Sequence, residues 1–223
     1  MTLTQLASIA EVDAAVAGQT APRLFVDLVA AHGDSPALHA MTGDADWSSW
    51  TLAEYASLVS EAAAGLRDAG VEAGQRVLLM MRNRPDFHWF DTAAQFIRAT
   101  PVSIYNSSSP EEIHYLAGHA EAEIAIVEDQ GFLDRLLEIR TDLPLLKRIY
   151  VVDPPAGDLP DGVRPASELF RSGSADLATL AAETSPDDIA TLIYTSGTTG
   201  PPKGVMISQY LSLIHISEPT RRT

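Results

Sequence analysis

The sequence predicts a doubly wound α/β fold, a mostly parallel sheet flanked by helices. Two observations carry that prediction: short apolar runs alternate with segments of helical periodicity, and the helical segments open on capping signals. Parallel strands need crossover helices between them, so the alternation itself argues for a sheet covered on both faces.

The elements follow in order from Thr51. Thr51 and Glu54 form a capping box, and Leu52, Tyr55, Val59, Ala62 and Leu66 recur at helical spacing as far as Gly70. Arg76 to Met81 reads as a buried strand, and Pro85 opens a helix with Phe87, Phe90, Ala94 and Ile97 on one repeating face. Thr100 to Ile104 is the next strand. Ser109, Pro110 and Glu112 repeat the capping logic ahead of Ile113, Leu116 and Ala117, which face inward. Glu123 to Val127 is extended, Phe132 to Ile139 helical, and Arg148 to Val152 extended again. Asp153 to Pro165, rich in Pro, Gly and Asp, reads as a surface excursion, with β-like signals resuming after it. Ile189 to Tyr194 and Val205 to Ile207 are short apolar runs that place a strand on either side of the segment between them.

The chain has 223 residues, 46% of them hydrophobic, which is ample for a buried core. The formal net charge of −15 argues against nucleic acid or anionic lipid as a major partner, because each phosphate contact normally takes a Lys or Arg. An anion must therefore be held locally. With no cysteine there is neither a disulfide framework nor a thiolate metal site. The N-terminal twenty residues lack a basic region followed by an apolar core, and no later run has the length of a membrane span. The reading is a cytoplasmic protein without a transmembrane segment, with peripheral membrane contact left open. Residues 1–20, Ala-rich and poor in large apolar groups, read as a loosely ordered leader ahead of a body spanning 21–210.

That local anion site is legible in Tyr194 to Val205, YTSGTTGPPKGV. Three glycines, two prolines, four Ser/Thr hydroxyls and one of the chain's two lysines, Lys203, fall within twelve residues. Glycines let backbone N–H groups turn toward an anion, hydroxyls add donors, and the lysine supplies charge where a polyphosphate would lie. The segment is not a Walker A loop: once four residues after Gly197 are skipped, Pro202 stands in place of glycine, and Gly204 follows Lys203 where a magnesium-binding hydroxyl would be needed.

Thr195 to Gly204 instead resembles the signature loop of the adenylate-forming superfamily, which includes acyl-CoA synthetases, luciferase-like enzymes and peptide-synthetase adenylation domains. Further likeness to the long-chain acyl-CoA synthetase branch lies in Trp50-Thr51-Leu52, Gly70-Val71, Gly74 to Val77, and Thr100 to Asn106 with Ser107 to Glu111, so that it spans about residues 22 to 208. The resemblance implies activation of a carboxylic acid, a fatty acid in this branch, by ATP and Mg²⁺ to an acyl-AMP, then transfer to coenzyme A. These small molecules are the expected partners. It also implies that Thr195, Ser196, Thr198 and Thr199 serve as hydroxyl donors, Gly197 and Gly200 as backbone donors or hinges, and Lys203 as the cation. A fatty acyl-AMP ligase, a peptide-synthetase adenylation domain and a non-catalytic nucleotide-binding fragment remain alternatives. The family's magnesium-binding Glu segment, ribose-binding Asp and C-terminal catalytic lysine have no counterpart in these residues, so no catalytic residue is assigned and the chain is expected to be inactive alone.

Other candidate groups read as structural or surface residues. His114 and His119 lie about 140° apart on a helix and are not placed to share a metal. Asp187-Asp188, after Pro186, reads as a solvated turn, and Phe87, Trp89 and Phe90 read as core. Residues 211–223, LSLIHISEPTRRT, depart from the Ala-rich style upstream and read as a non-native tail resembling translated sequencing-library adapter.

Overall fold

Successive side chains of Arg76–Met80 point to opposite faces of a sheet, and both faces are covered. Val77 and Leu79 enter one apolar core, while Leu78 enters another with Met80. The same division runs through the neighbouring strands, which explains why their sequences are continuous apolar runs. The computed structural model describes residues 9–42, 46–195 and 200–217.

In chain order the elements are α1 (Ile9–Val16), α2 (Ala21–His32), β1 (Pro36–Thr42), β2 (Asp46–Thr51), α3 (Leu52–Asp68), β3 (Arg76–Met80), α4 (Pro85–Phe96), β4 (Thr100–Ser103), α5 (Pro110–His119), β5 (Ile124–Val127), α6 (Gln130–Glu138), β6 (Arg148–Val151), β7 (Val163–Pro165), α7 (Leu177–Glu183), β8 (Ile189–Thr195), β9 (Lys203–Ser208) and α8 (Gln209–Ser217). Short 3₁₀ turns cover Arg140–Asp142 and Ala166–Phe170. Seven strands among the described residues form the main sheet in the order β7-β6-β5-β3-β4-β8-β9. All its pairings are parallel except β8 with β9, an antiparallel hairpin that leaves β9 at the edge. Helices α3 and α4 supply Val59, Leu66, Phe90 and Phe96 to one core; α5 and α6 supply Ile113, Leu116, Leu133 and Leu136 to the other. This is the doubly wound α/β fold that the sequence predicts.

Both predicted capping boxes form. Thr51 Oγ1 accepts the Glu54 N–H at 3.2 Å and Glu54 Oε2 accepts the Thr51 N–H at 2.8 Å; Ser109 and Glu112 repeat the exchange at 3.3 and 3.0 Å. Each box satisfies two N–H groups that a helix start would otherwise orphan.

Elsewhere the structure adds elements. A two-stranded antiparallel sheet, β1 with β2, precedes α3. Within residues 1–20, α1 buries Val12 and Val16, and the Tyr210 hydroxyl donates to Asp13 Oδ1 at 2.9 Å. The 153–165 excursion ends in β7, which pairs with β6 at the far edge of the sheet; on an edge strand, the missing N–H of Pro165 costs little. Leu213 of α8 is buried.

Candidate functional site

In open α/β sheets ligands favour the crevice at the carboxyl ends of the strands, where the connections reverse direction. Here that crevice, between β3 and β5, is filled by ion pairs. Arg82 Nη1 reaches Glu128 Oε1 at 2.6 Å and Asp129 Oδ2 at 2.8 Å, and Arg84 holds Asp86 and Asp153. The Arg82 hydrogen bond holds the Asp129 carboxyl below the usual carboxylate range. Glu128 is buried, so its charge needs the partner it has.

The strands that flank the glycine- and hydroxyl-rich segment meet at the same end of the sheet, β8 lying two strands along from β3. β8 runs parallel to β4 and therefore delivers Thr195 to the carboxyl-end side. The chain returns as β9, with Thr195 opposite Lys203, Tyr194 opposite Gly204 and Ile193 opposite Val205. Thr195 and Lys203 are exposed, a hydroxyl and an ammonium facing each other across the last rung of the hairpin. Gly200 has φ +105°, a left-handed conformation that L side chains rarely adopt. Ser196, Gly197, Thr198 and Thr199 lie outside the described residues. The structure thus brings together Thr195, Gly200 and Lys203 of the expected site residues.

A cleft of about 670 Å³ borders this hairpin, lined by Tyr105, Ser108, Glu111, Tyr115, Tyr194 and Pro202 among others. The first turn of α5 contributes Glu111, whose carboxyl accepts from Ser109 Oγ at 2.7 Å and is held low by that bond. Behind β8, a second cavity of about 380 Å³ is lined by Phe87, Asp91, Tyr105 and Ile193. Phe90 is fully buried as core, whereas Phe87 also faces this cavity. Burial pushes the Asp91 carboxyl up to about 6, with Gln95 Nε2 donating to it at 2.9 Å.

Two residues that sequence reasoning did not assign to the site hold the hairpin. Tyr115 donates to the Pro202 carbonyl at 2.9 Å, and His119 Nδ1 lies 2.9 Å from the Tyr194 hydroxyl. Their signal in the sequence is the aromatic pair at i and i+4 on α5. His114 and His119 are both exposed. Asp188 departs from the expected solvated turn: it forms a two-pronged ion pair with Arg98, because a residue ninety positions earlier in sequence folds against it. Asp187 is exposed. Among the described residues there is no group of three or more acidic or histidine side chains able to hold a metal ion, so the side chains in view do not build a magnesium centre.

Residues 25–217 match the family model described as AMP-binding enzyme. The chain belongs to the AMP-binding enzyme family. Among curated AMP-binding relatives, the long-chain-fatty-acid–CoA ligase ACSBG2 of Xenopus laevis is 33% identical over 193 residues, covering 85% of this chain and 26% of its own length. FadD15 of Mycobacterium tuberculosis, also a long-chain-fatty-acid–CoA ligase, is 33% identical over 173 residues, covering 77% of this chain and 28% of its own. The chain thus spans about a quarter of the length of the curated relatives it matches. Among solved structures, the anthranilate CoA ligase AuaEII in complex with anthranoyl-AMP superposes with TM-score 0.75 at 25% identity, over 86% of this chain and 35% of that one. The long-chain-fatty-acid–CoA ligase FadD1 of Archaeoglobus fulgidus gives TM-score 0.72 over 86% and 37%, and at 23% identity supports the fold alone.

Proposed function

We propose that this chain is the N-terminal part of an ATP-dependent acid:CoA ligase acting on a fatty acid, and that its contribution is to grip the triphosphate of ATP. The observation that carries this reading is the cross-strand pair Thr195–Lys203 at the carboxyl-end side of the sheet. A carboxylate attacking the α-phosphate must approach a polyanion, and pyrophosphate must leave in line. Donors and a cation fixed in advance lower the cost of both. In this reading Thr195 and the adjoining Ser196, Thr198 and Thr199 donate hydroxyls, Gly197 and Gly200 free backbone N–H groups, and Lys203 supplies the charge. Glu111 and Glu112, which line the neighbouring cleft, repel a polyanion. The triphosphate therefore belongs on the Lys203 side.

Mg²⁺ would add charge neutralisation when bound with the nucleotide; no step is assigned to it, since the side chains described here do not form its site. The acyl acceptor in this reading is coenzyme A, consistent with the names of the relatives above. Among the described residues no helix is long and apolar enough to cross a membrane, and a cytoplasmic location is part of the proposal. Residues 211–223 are proposed to be non-native, which resequencing of the locus tests directly: a genome that encodes these thirteen codons unchanged removes the idea.

Alone, the chain is proposed to be inactive, because it spans about a quarter of its relatives' length. Pyrophosphate release with ATP and palmitate tests both parts. Palmitate-dependent turnover by the purified 223-residue chain would refute inactivity. In a complete ligase carrying this segment, Lys203→Ala is expected to raise the KM for ATP while leaving that for the acid in place; unchanged adenylation kinetics would remove Lys203 from the site.

A further inference from the structure

One face of α5 touches both arms of the nucleotide loop. Tyr115 and His119, four residues apart, stack with ring centroids 5.6 Å apart and an interplanar angle of 27°. From this pair, the Tyr115 hydroxyl donates to the carbonyl of Pro202, the residue just ahead of Lys203, at 2.9 Å. His119 Nδ1 meets the hydroxyl of Tyr194, the residue just ahead of Thr195, at 2.9 Å, and the two rings sit edge-on at 5.6 Å. Tyr194 in turn lies over Gly204, its cross-strand partner: a Cβ on Gly204 would come within 3.2 Å of the Tyr194 ring. Glycine is what allows this close approach.

Tyr115 and Tyr194 pack partly buried against the core, so burial of apolar surface accounts for part of the arrangement, but not for the place of His119. His119 is exposed, and what it brings to the hairpin at the surface is its hydrogen bond to Tyr194 and the edge-on ring contact that goes with it. The two contacts land on residues immediately adjoining the Thr195–Lys203 rung, one on each strand. A single rigid helix face therefore sets the spacing of that rung.

We propose that Tyr115 and His119 are positioning residues for the nucleotide. They hold the strand entering the loop and the strand leaving it at one separation, so that the Thr195 hydroxyl and the Lys203 ammonium face a triphosphate already aligned. This role rests on the nucleotide reading of the preceding subsection. The residues touch the loop base and not the reacting atoms.

Hydrogen exchange on the 223-residue chain, followed along β8 and β9 with β3 as internal reference, reads the clamp; titration with MgATP reads its purpose. Tyr115→Phe keeps the ring and deletes one hydroxyl. It is expected to speed exchange in the hairpin about fivefold, the worth of one net hydrogen bond, with the reference strand and the thermal midpoint unchanged. His119→Ala is expected to act likewise, and His119→Asn, which retains a polar nitrogen near the place of Nδ1, to restore protection. MgATP affinity is expected to fall about fivefold in the two loosened variants and to recover in His119→Asn. Unchanged hairpin exchange in Tyr115→Phe and His119→Ala overturns the clamp, as does equal loosening by His119→Asn and His119→Ala. Faster exchange with unaltered MgATP affinity overturns the positioning role. A wild-type chain that binds no MgATP, while its variants still loosen the hairpin, overturns the nucleotide reading and the positioning role with it.

Discussion

Arg98 and Asp188 meet in a two-pronged ion pair, Nε to Oδ2 at 2.9 Å and Nη2 to Oδ1 at 3.0 Å, that ties the turn after α4 to the turn before β8. Asp188 Oδ2 also accepts the Ser185 N–H at 2.8 Å. Burial works against the charge on Asp188, but the Arg98 and Ser185 hydrogen bonds outweigh it and hold the carboxyl below its usual range. With its pKa lower in the folded than in the unfolded chain, Asp188 stabilises fully above the unfolded value of about 3.9. That contribution disappears as pH falls through the folded value. Asp188→Asn is therefore expected to cost about 1 kcal/mol at pH 7, a figure reduced because Arg98 is 40% exposed, and little near pH 2. Urea midpoints at the two pH values check this, and equal losses at both would contradict it.

Gly65 sits where α3 crosses the 3₁₀ turn Ala166–Phe170. A Cβ there would lie 1.9 Å from the Leu169 carbonyl oxygen and 2.5 Å from its carbon, both backbone atoms that cannot swing away. Gly65→Ala is expected to destabilise the fold by about 3 kcal/mol despite alanine's better helix propensity. Thermal unfolding measures it; a rise in the midpoint would mean that the crossing is looser than described.

Asp91 carries the opposite pH signature from Asp188. Burial raises its pKa to about 6, against an unfolded value near 3.9, and Gln95 offsets this only in part. A group whose folded pKa is raised stabilises in its protonated form, fully below the unfolded value, and that benefit is lost as pH rises through about 6. Asp91→Asn keeps the shape without the charge. It is expected to add about 2 kcal/mol at pH 8 and nearly nothing at pH 4. Urea denaturation at both values is the test, and a destabilised variant at pH 8 would show that the carboxylate has a partner there.

Arg23 closes the end of a helix far from it in sequence. Its guanidinium donates to the carbonyls of Ala181, Ala182 and Thr184 at 3.2, 3.1 and 2.7 Å, and to that of Gly18 at 2.6 Å. Two of these carbonyls, Ala181 and Ala182, belong to the last turn of α7, and that of Ala181 also accepts from the Thr184 N–H and hydroxyl. Arg23→Ala is expected to cost about 2 kcal/mol, and Arg23→Lys to restore less than half, because one ammonium cannot serve a fork of acceptors. Chemical denaturation of both variants checks the ordering.

Legibility in the sequence followed how local each cause was. From Thr51 onward, caps, prolines and buried runs all act within a few residues, and α3, β3, α4, β4, α5, β5, α6 and β6 fall where those signals place them. α2 was not read, although Thr20 caps it and Pro22 lies in its first turn; Leu24 and Leu28 on it remain 41% and 45% exposed. α7 has seven residues and depends on Arg23, so its persistence is tertiary. In the candidate site, composition alone marked the loop, and the register Thr195–Lys203 agrees with strands read on either side of it. Tyr115 went unassigned and His119 was read only as a structural or surface histidine, because their partners stand 87 and 75 residues away.

β9 ends the sheet, and among the described residues it pairs on one side only. Val205 and Met206, on this strand, are 43% and 65% exposed. Such a border is a template that another molecule's backbone can extend, rung by rung. Concentrated solutions of this polypeptide should grow turbid with time, beginning at that seam, while its doubly covered interior stays intact.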